Sequence, residues 1–354
     1  MTDVLDLPTT RDEAFRWADM PALEAARALP ATTAVIPDPI LADASRLVFV
    51  DGQLTDQPAN LTIAPTTLAS DHPLARHAGG QGYAIALPPQ SVATIEIARA
   101  NAGGDSHTPI TITLGEDAVL TLVEPYTGAG WTNTLTRFDL GKGARVMRAV
   151  RIMQDAGFVS TRDEVTIAEA ASFVSVALGT TAAGTRLDAA LTLNGDGAYA
   201  ELGGALLTRD AQRQECAVRV RHAHPNGQSH QLWRAVAADR STVSLAAAVE
   251  VARDAQKTDG EQSLRGLLLQ RTATVNLKPD LEIFADDVKC AHGATVGELD
   301  ARALFYMQSR GIPAARAKAL LTRAFVADAL DRIADEAVRE VFTADADAWL
   351  ERAL

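Results

Sequence analysis

Two residues in the stretch DDVKCAHGATVGELD, Cys290 and His292, carry the most specific chemical pattern of the chain. If Val288 to His292 is extended, side chains two apart project to one face of the strand, and a thiol and an imidazole there suit one soft metal ion. Zinc or iron ordinarily takes four ligands, yet the sequence holds no CxxC pair and no HExxH. A complete site would therefore be shared with another chain. The competing reading is a buried thiol beside a hydrogen-bonded imidazole at the end of a core strand. A Cys–His nucleophile pair is disfavoured, because residues two apart on a strand rarely reach the approach geometry of nucleophile and base.

Other clusters are less specific. RHAHPNGQSHQLWR brings His222, His224 and His230 close in sequence, but Pro225 and Asn226-Gly227 mark a turn, so turn and strand-edge hydrogen bonding is expected there. Cys216, nearby, reads as core. The acidic pairs Glu116-Asp117 and Asp286-Asp287 would suit a glycan-cleaving β-helix, except that sequence neighbours on a strand face opposite ways. LGKGA follows Lys142 with Gly143 rather than Ser or Thr, so it is no phosphate-binding loop, and any ATP must be handled by a partner.

These side chains must be placed by a core poor in large rings. The 354 residues are 47% hydrophobic but only 5% aromatic, which calls for layers of Ala, Val, Leu and Ile in close stacking. A net charge of −12 with no long basic run argues against nucleic acid. The start MTDVLDLPTTRDEAFRW has no basic-then-apolar pattern and no window reaches the length of a membrane span, so a cytoplasmic protein is expected. Only two cysteines fits a reducing compartment.

Along the chain, residues 11–29 place Phe15, Leu23 and Ala26 at helical spacing, with Pro21 expected to divide two short helices. Pro30, Pro37 and Pro39 make a linker, and RLVFVDGQL a first strand turning at Asp51-Gly52. Then one phrase repeats: LGEDAVLTL from Leu114, LGKGARVMR from Leu140, IAEAASFVS from Ile167 and LNGDGAYAEL from Leu193, at intervals of 26, 27 and 26 residues. A fixed period with strands inside it implies stacked coils rising about 4.8 Å each, that is, a β-solenoid or β-helix. A β-sandwich, whose turn signals also recur, is the alternative. After Gly297 the pattern becomes helical. Asp300 caps a helix that ends at Gly311, Pro313 opens the next, and Leu304, Phe305, Leu320, Leu321, Phe325 and Leu330 supply apolar faces. The division expected is a helical region and linker over 1–82, a β-helix over 83–296 and helices over 297–354.

DVKCAHGATVGELDARALFYMQSRGI resembles the SufD branch of the SufB/SufD family, the scaffold subunits of the Suf iron–sulfur cluster assembly machinery. HAHPNGQSHQLWR, DAQKTDGEQSLRGLLL, PDLEIFADDVKCAHGA and the upstream EAFRWADM agree, in the same order, while SLAAAVEVARDAQ departs from the pattern of many relatives. The resemblance implies a mainly β fold, a right-handed parallel β-helix between N-terminal and C-terminal helical regions. It also implies pairing with a SufB-like subunit through the ends of the β-helices, a SufC-like ATPase docked on the C-terminal helices (about Asp300 to Ile333), and ATP bound only by that subunit. His292 falls where the family places an interface histidine required for cluster formation. Cys290 takes the adjacent cysteine position as a supporting ligand, and His222 and Ser229 fall at positions of structural role. The expected function is a non-enzymatic scaffold supporting iron entry at a transient iron–sulfur site shared with the SufB-like subunit. A homodimer is expected when the chain is alone. The competing readings are a polysaccharide-acting β-helix enzyme and a purely structural adaptor without a metal role.

Overall fold

The repeated phrases are the corners of a coil. In a computed structural model describing residues 5–181 and 183–353, Leu114, Leu140, Ile167 and Leu193 end strands β5 (Val92–Leu114), β6 (Val119–Leu140), β8 (Phe158–Ile167) and β10 (Gly184–Leu193). They lie side by side in parallel register. The column continues through His222 of β12 (Arg213–His222), Val251 of β14 (Thr242–Val251) and Ile283 of β16 (Thr274–Ile283). From Leu193 onward its intervals lengthen to 29, 29 and 32 residues, and an imidazole replaces the apolar side chain once.

The second wall stacks β7 (Arg145–Ile152), β9 (Ser172–Gly179), β11 (Tyr199–Thr208), β13 (Gln228–Ala237), β15 (Asp259–Leu268) and β17 (Lys289–Glu298), again in parallel. The long β5 and β6 run through both walls. The chain is thus a mainly β protein with a parallel β-solenoid of about eight turns and flanking helices. Parallel ladders throughout the core exclude the sandwich, whose neighbours would be antiparallel.

Alternation puts one set of side chains inside each coil, and most are aliphatic: Ile95, Leu122, Ile112, Leu191 and Leu245 are all at most 1% exposed. The interior also holds charge. Arg99 Nη1 donates to Glu124 at 2.6 Å, Arg148 Nε donates to the same carboxylate, and Arg148 Nη1 donates to Asp163 at 2.5 Å. Burial drives the Glu124 carboxyl toward its neutral form, but Arg148 and Arg99 together outweigh that and hold it below its ordinary value. Burial wins at Asp163, which is shifted upward.

At the N-terminal end the solenoid is blunted. Strand β1 (Ser45–Val50) lies parallel on the first half of β5, then turns at Asp51 and Gly52, both at positive φ, into the antiparallel β2 (Gln53–Asp56). On the other wall β4 (Gly80–Leu87) lies parallel on β5 and carries the antiparallel β3 (Ile63–Leu68) outside it. Short antiparallel strands, one with Pro65, are a usual way to stop a sheet from growing.

Helices cover both outer faces. A 3₁₀ turn at Glu13–Phe15 and helix α1 (Met20–Arg27) bury Phe15, Leu23 and Ala26 against Trp131 and Phe158. Pro21 does not divide this region. It lies in the first turn of α1, where a missing N–H is harmless, and Asp19 caps the helix by accepting from Ala22 N at 3.2 Å. The one-turn α2 (Ala75–Ala78) packs against Leu135. At the other end come α3 (Ala301–Ser309), α4 (Ala314–Leu330) and α5 (Glu336–Ala353). Asp300 caps α3 through Arg302 N at 2.8 Å, and Gly311, at φ 84°, ends it. Pro313 is the N-cap of α4.

The inner faces of α4 and α5 supply Val326, Leu330, Phe342, Trp349 and Leu350 to a seam with Val176, Leu178, Leu207 and Val236 of the solenoid. Arg151 to Asp345, at 2.5 and 2.8 Å, and Arg234 to Asp328 tie the same helices down. No described helix is long and apolar enough to cross a membrane.

Candidate metal and docking site at the open end

Cys290 and His292 lie on β17, the last strand of the solenoid. The register sets Cys290 over Gly260, His292 over Gln262, Ala294 over Leu264 and Val296 over Gly266. Gln262 and Leu264 beneath them are inside, 1% and 0% exposed, so the face shared by Cys290 and His292 is the inner face of the coil. It is inner by direction alone. Nearly every residue of β17 is exposed, because no further coil lies above it. The inner row of β16, from Val275 and Leu277 to Ile283, lies over the fully buried Val243, Leu245 and Val251 and is itself partly open.

The end is therefore unfinished in two senses. The ladders stop at β16 and β17, each paired in register along one side only, leaving backbone donors and acceptors unmatched. Apolar side chains are also uncovered: Ile283 is 41%, Phe284 59% and Val296 45% exposed. Helix α3 follows directly, buries no residue, and turns out Phe305 at 74% and Tyr306 at 58% exposure. Of the residues expected to form apolar helix faces, Leu330 packs inward while Phe305 and Leu320 face outward.

The two site residues differ in surroundings. Cys290 packs against the apolar group of Val249, Val251, Ala255 and Ala285 and leans over Gly260, where an added Cβ would stand 3.5 Å from its Sγ. Burial raises its thiol pKa, so the protonated form is favoured until a cation or metal ion arrives. His292 is exposed and has no hydrogen-bond partner among the described residues. Among those residues no third Cys, His, Asp or Glu joins the pair to complete a metal site.

The other cysteine is fully inside. Cys216 is 2% exposed, unpaired, and burial pushes its thiol well up. His222 and His224 do not converge: His224 is on the exposed turn, and His222 is buried with Nε2 2.8 Å from Ser229 Oγ. Burial brings His222 down to about 4, so it is neutral at pH 7. Ser229 lies one coil below Gly260 and two below Cys290.

Sequence reasoning missed Gln231 and Gln262, the two coils under His292. Both are 1% exposed, and each side-chain carbonyl lacks a partner among the described residues. A signal was present: Gln231, Gln262 and His292 recur at 31 and 30 residues, the length of one late coil.

Comparison with known proteins bears on this end of the chain. Residues 97–325, more than half the sequence and including β17, α3 and most of α4, match the family model described as SUF system FeS cluster assembly, SufBD core domain. The chain is 35% identical over 150 residues to the iron–sulfur cluster assembly protein SufD of Escherichia coli, covering 42% of this chain and 35% of that one. It is 41% identical over 118 residues to the chloroplastic protein ABCI7 of Arabidopsis thaliana, covering 33% and 25%. A SufBD family protein of Mycobacterium tuberculosis is 34% identical over 174 residues, covering 47% and 44%. The matched stretches thus span less than half the length of each of these relatives.

Proposed function

Because the chain belongs to the SufB/SufD family of iron–sulfur cluster assembly proteins, we propose that it is a cytoplasmic scaffold subunit whose open solenoid end docks onto a SufB-like partner. The observation that carries this reading is the asymmetry of the two ends. One is closed by antiparallel strands; the other leaves two parallel edges and an apolar inner row uncovered. A second solenoid meeting β16 and β17 edge to edge would continue both ladders and cover Ile283, Phe284 and Val296 in one step. A homodimer through the same end is the arrangement when the partner is absent.

Iron is substrate here. A neutral imidazole at His292 supplies a nitrogen ligand, and Cys290, once deprotonated, supplies sulfur. The remaining ligands come from the partner across the junction, in keeping with a pair that no third ligand joins among the described residues. The chain itself performs no bond-making step: it holds ligands on a rigid strand and excludes water by closing the junction. Exposed Phe305, Tyr306 and Leu320 fit docking of a SufC-like ATPase, which would supply the ATP binding. A change in ATPase geometry would then be transmitted through α3 to the adjoining β17.

The test is anaerobic co-purification with SufB-like and SufC-like subunits, comparing wild type with His292→Ala. The expected result is an intact complex in both, with iron–sulfur absorbance lost in the variant. Unchanged absorbance would make His292 structural and place the cluster chemistry wholly in the partner.

A further inference from the structure

The geometry points to Gln262 as the positioning residue of His292: its side-chain carbonyl accepts the N–H of the imidazole and so presents the other ring nitrogen, unprotonated, to iron. This rests on the proposed site at the open end. A histidine that ligates metal through one nitrogen carries its proton on the other, and that N–H needs an acceptor to fix the ring.

Among the described residues the register sets one such acceptor next to His292. Gln262 is directly beneath His292 on the neighbouring strand, about 4.8 Å away along the coil axis. The columns on either side offer Gly260 under Cys290 and Leu264 under Ala294, neither with a polar side chain. Gln262 is 1% exposed, and its amide is oriented by donating from Nε2 to the carbonyl of Asp280 at 3.3 Å. Its Oε1 is buried and has no partner among the described residues. A buried amide oxygen without a donor calls for an explanation, and because Gln231 shares that state one coil lower, what singles out Gln262 is its place directly beneath His292.

The coil below provides an internal control. Gln231 is held the same way, donating from Nε2 to the Ala248 carbonyl at 3.2 Å, and Ala248 is in register with Asp280. Above Gln231, however, stands Gln262 rather than a histidine. Only the upper glutamine is in reach of the site. In the isolated chain His292 is exposed, and the hydrogen bond forms when the partner covers the mouth and turns the ring inward.

The experiment uses the complex with the SufB-like partner, with ¹⁵N-histidine in this chain alone and zinc(II) as a redox-silent probe. Gln262→Leu is expected to weaken zinc binding about tenfold and to shift the ¹⁵N resonance of the ring N–H. Gln231→Leu, which loses the same kind of buried amide one coil lower, changes neither. The inference is overturned if Gln262→Leu binds zinc with wild-type affinity and an unshifted resonance while His292→Ala loses zinc. If His292→Ala itself binds zinc normally, the site falls, and the role of Gln262 with it.

Discussion

Replacing His222 by Leu should remove a specific part of the protein's acid sensitivity. His222 is fully buried in a column otherwise filled by Leu193 below and Val251 above, and burial holds its pKa at about 4 against an ordinary 6.5. Above pH 6.5 the imidazole is neutral in both folded and unfolded chains and contributes no pH dependence. Between 6.5 and 4 the unfolded chain takes up a proton that the folded one refuses, so stability falls as pH falls. The gap converts to about 3 kcal/mol, fully expressed below pH 4, which is a large share of a typical folding free energy. Urea unfolding of wild type and of His222→Leu/Ser229→Ala at pH 7.5, 6, 5 and 4 isolates the contribution, because every other titrating group is common to both. The second substitution removes the hydroxyl that would otherwise lose its partner. The difference between the two proteins should change by about 3 kcal/mol across the series, in favour of the variant at low pH. A constant difference would refute the reasoning and mean that the imidazole reaches water or a compensating acceptor.

Other predictions concern the helices and the coil geometry. Burial raises Glu215, despite its 2.6 Å ion pair with Arg186, to about 7 from an ordinary 4.5, so between those values the folded chain holds a proton that the unfolded chain has released; the stability of wild type relative to Glu215→Gln should therefore decline as pH rises from 4.5 to 7 and level off above, read by urea unfolding of both proteins. Trp349, 1% exposed in the seam between α5 and the solenoid, should cost about 3–5 kcal/mol when replaced by Ala, read by chemical denaturation. Gly128→Ala should yield little folded protein by circular dichroism, because φ is 94° and a Cβ would come within 1.9 Å of the Asn101 carbonyl oxygen.

The solenoid was legible where the sequence kept its period. The corners at Leu114, Leu140, Ile167 and Leu193 are apolar, evenly spaced and followed by small turn residues, so one coil could be read from the next. The later coils were not legible, because longer turns break the count and His222 occupies a corner where an apolar residue was expected. Arg99, Glu124, Arg148 and Asp163 were invisible for a different reason: alternation tells that two residues share a face, but a charge is read as facing out unless its partner is known. At the site, the spacing of Cys290 and His292 gave the shared face. Only the register with Gly260 and Gln262 showed that this face is the uncapped interior. The two glutamines required the coil alignment before they meant anything.

The ion chain through Arg99, Glu124, Arg148 and Asp163 has a consequence for how the coils find one another. Stacked turns lined with Ile, Leu and Val are nearly interchangeable, and a chain of them could settle one turn out of step with little penalty from hydrophobic contact. Four charges that neutralise one another only across four particular strands end that ambiguity. Slipped by a turn between β6 and β7, the stack would part Glu124 from Arg148 and leave each one partner short in a dry interior. The chain thus works as an index mark near the start of the stack, from which the register of every later turn, down to the strand carrying His292, is counted.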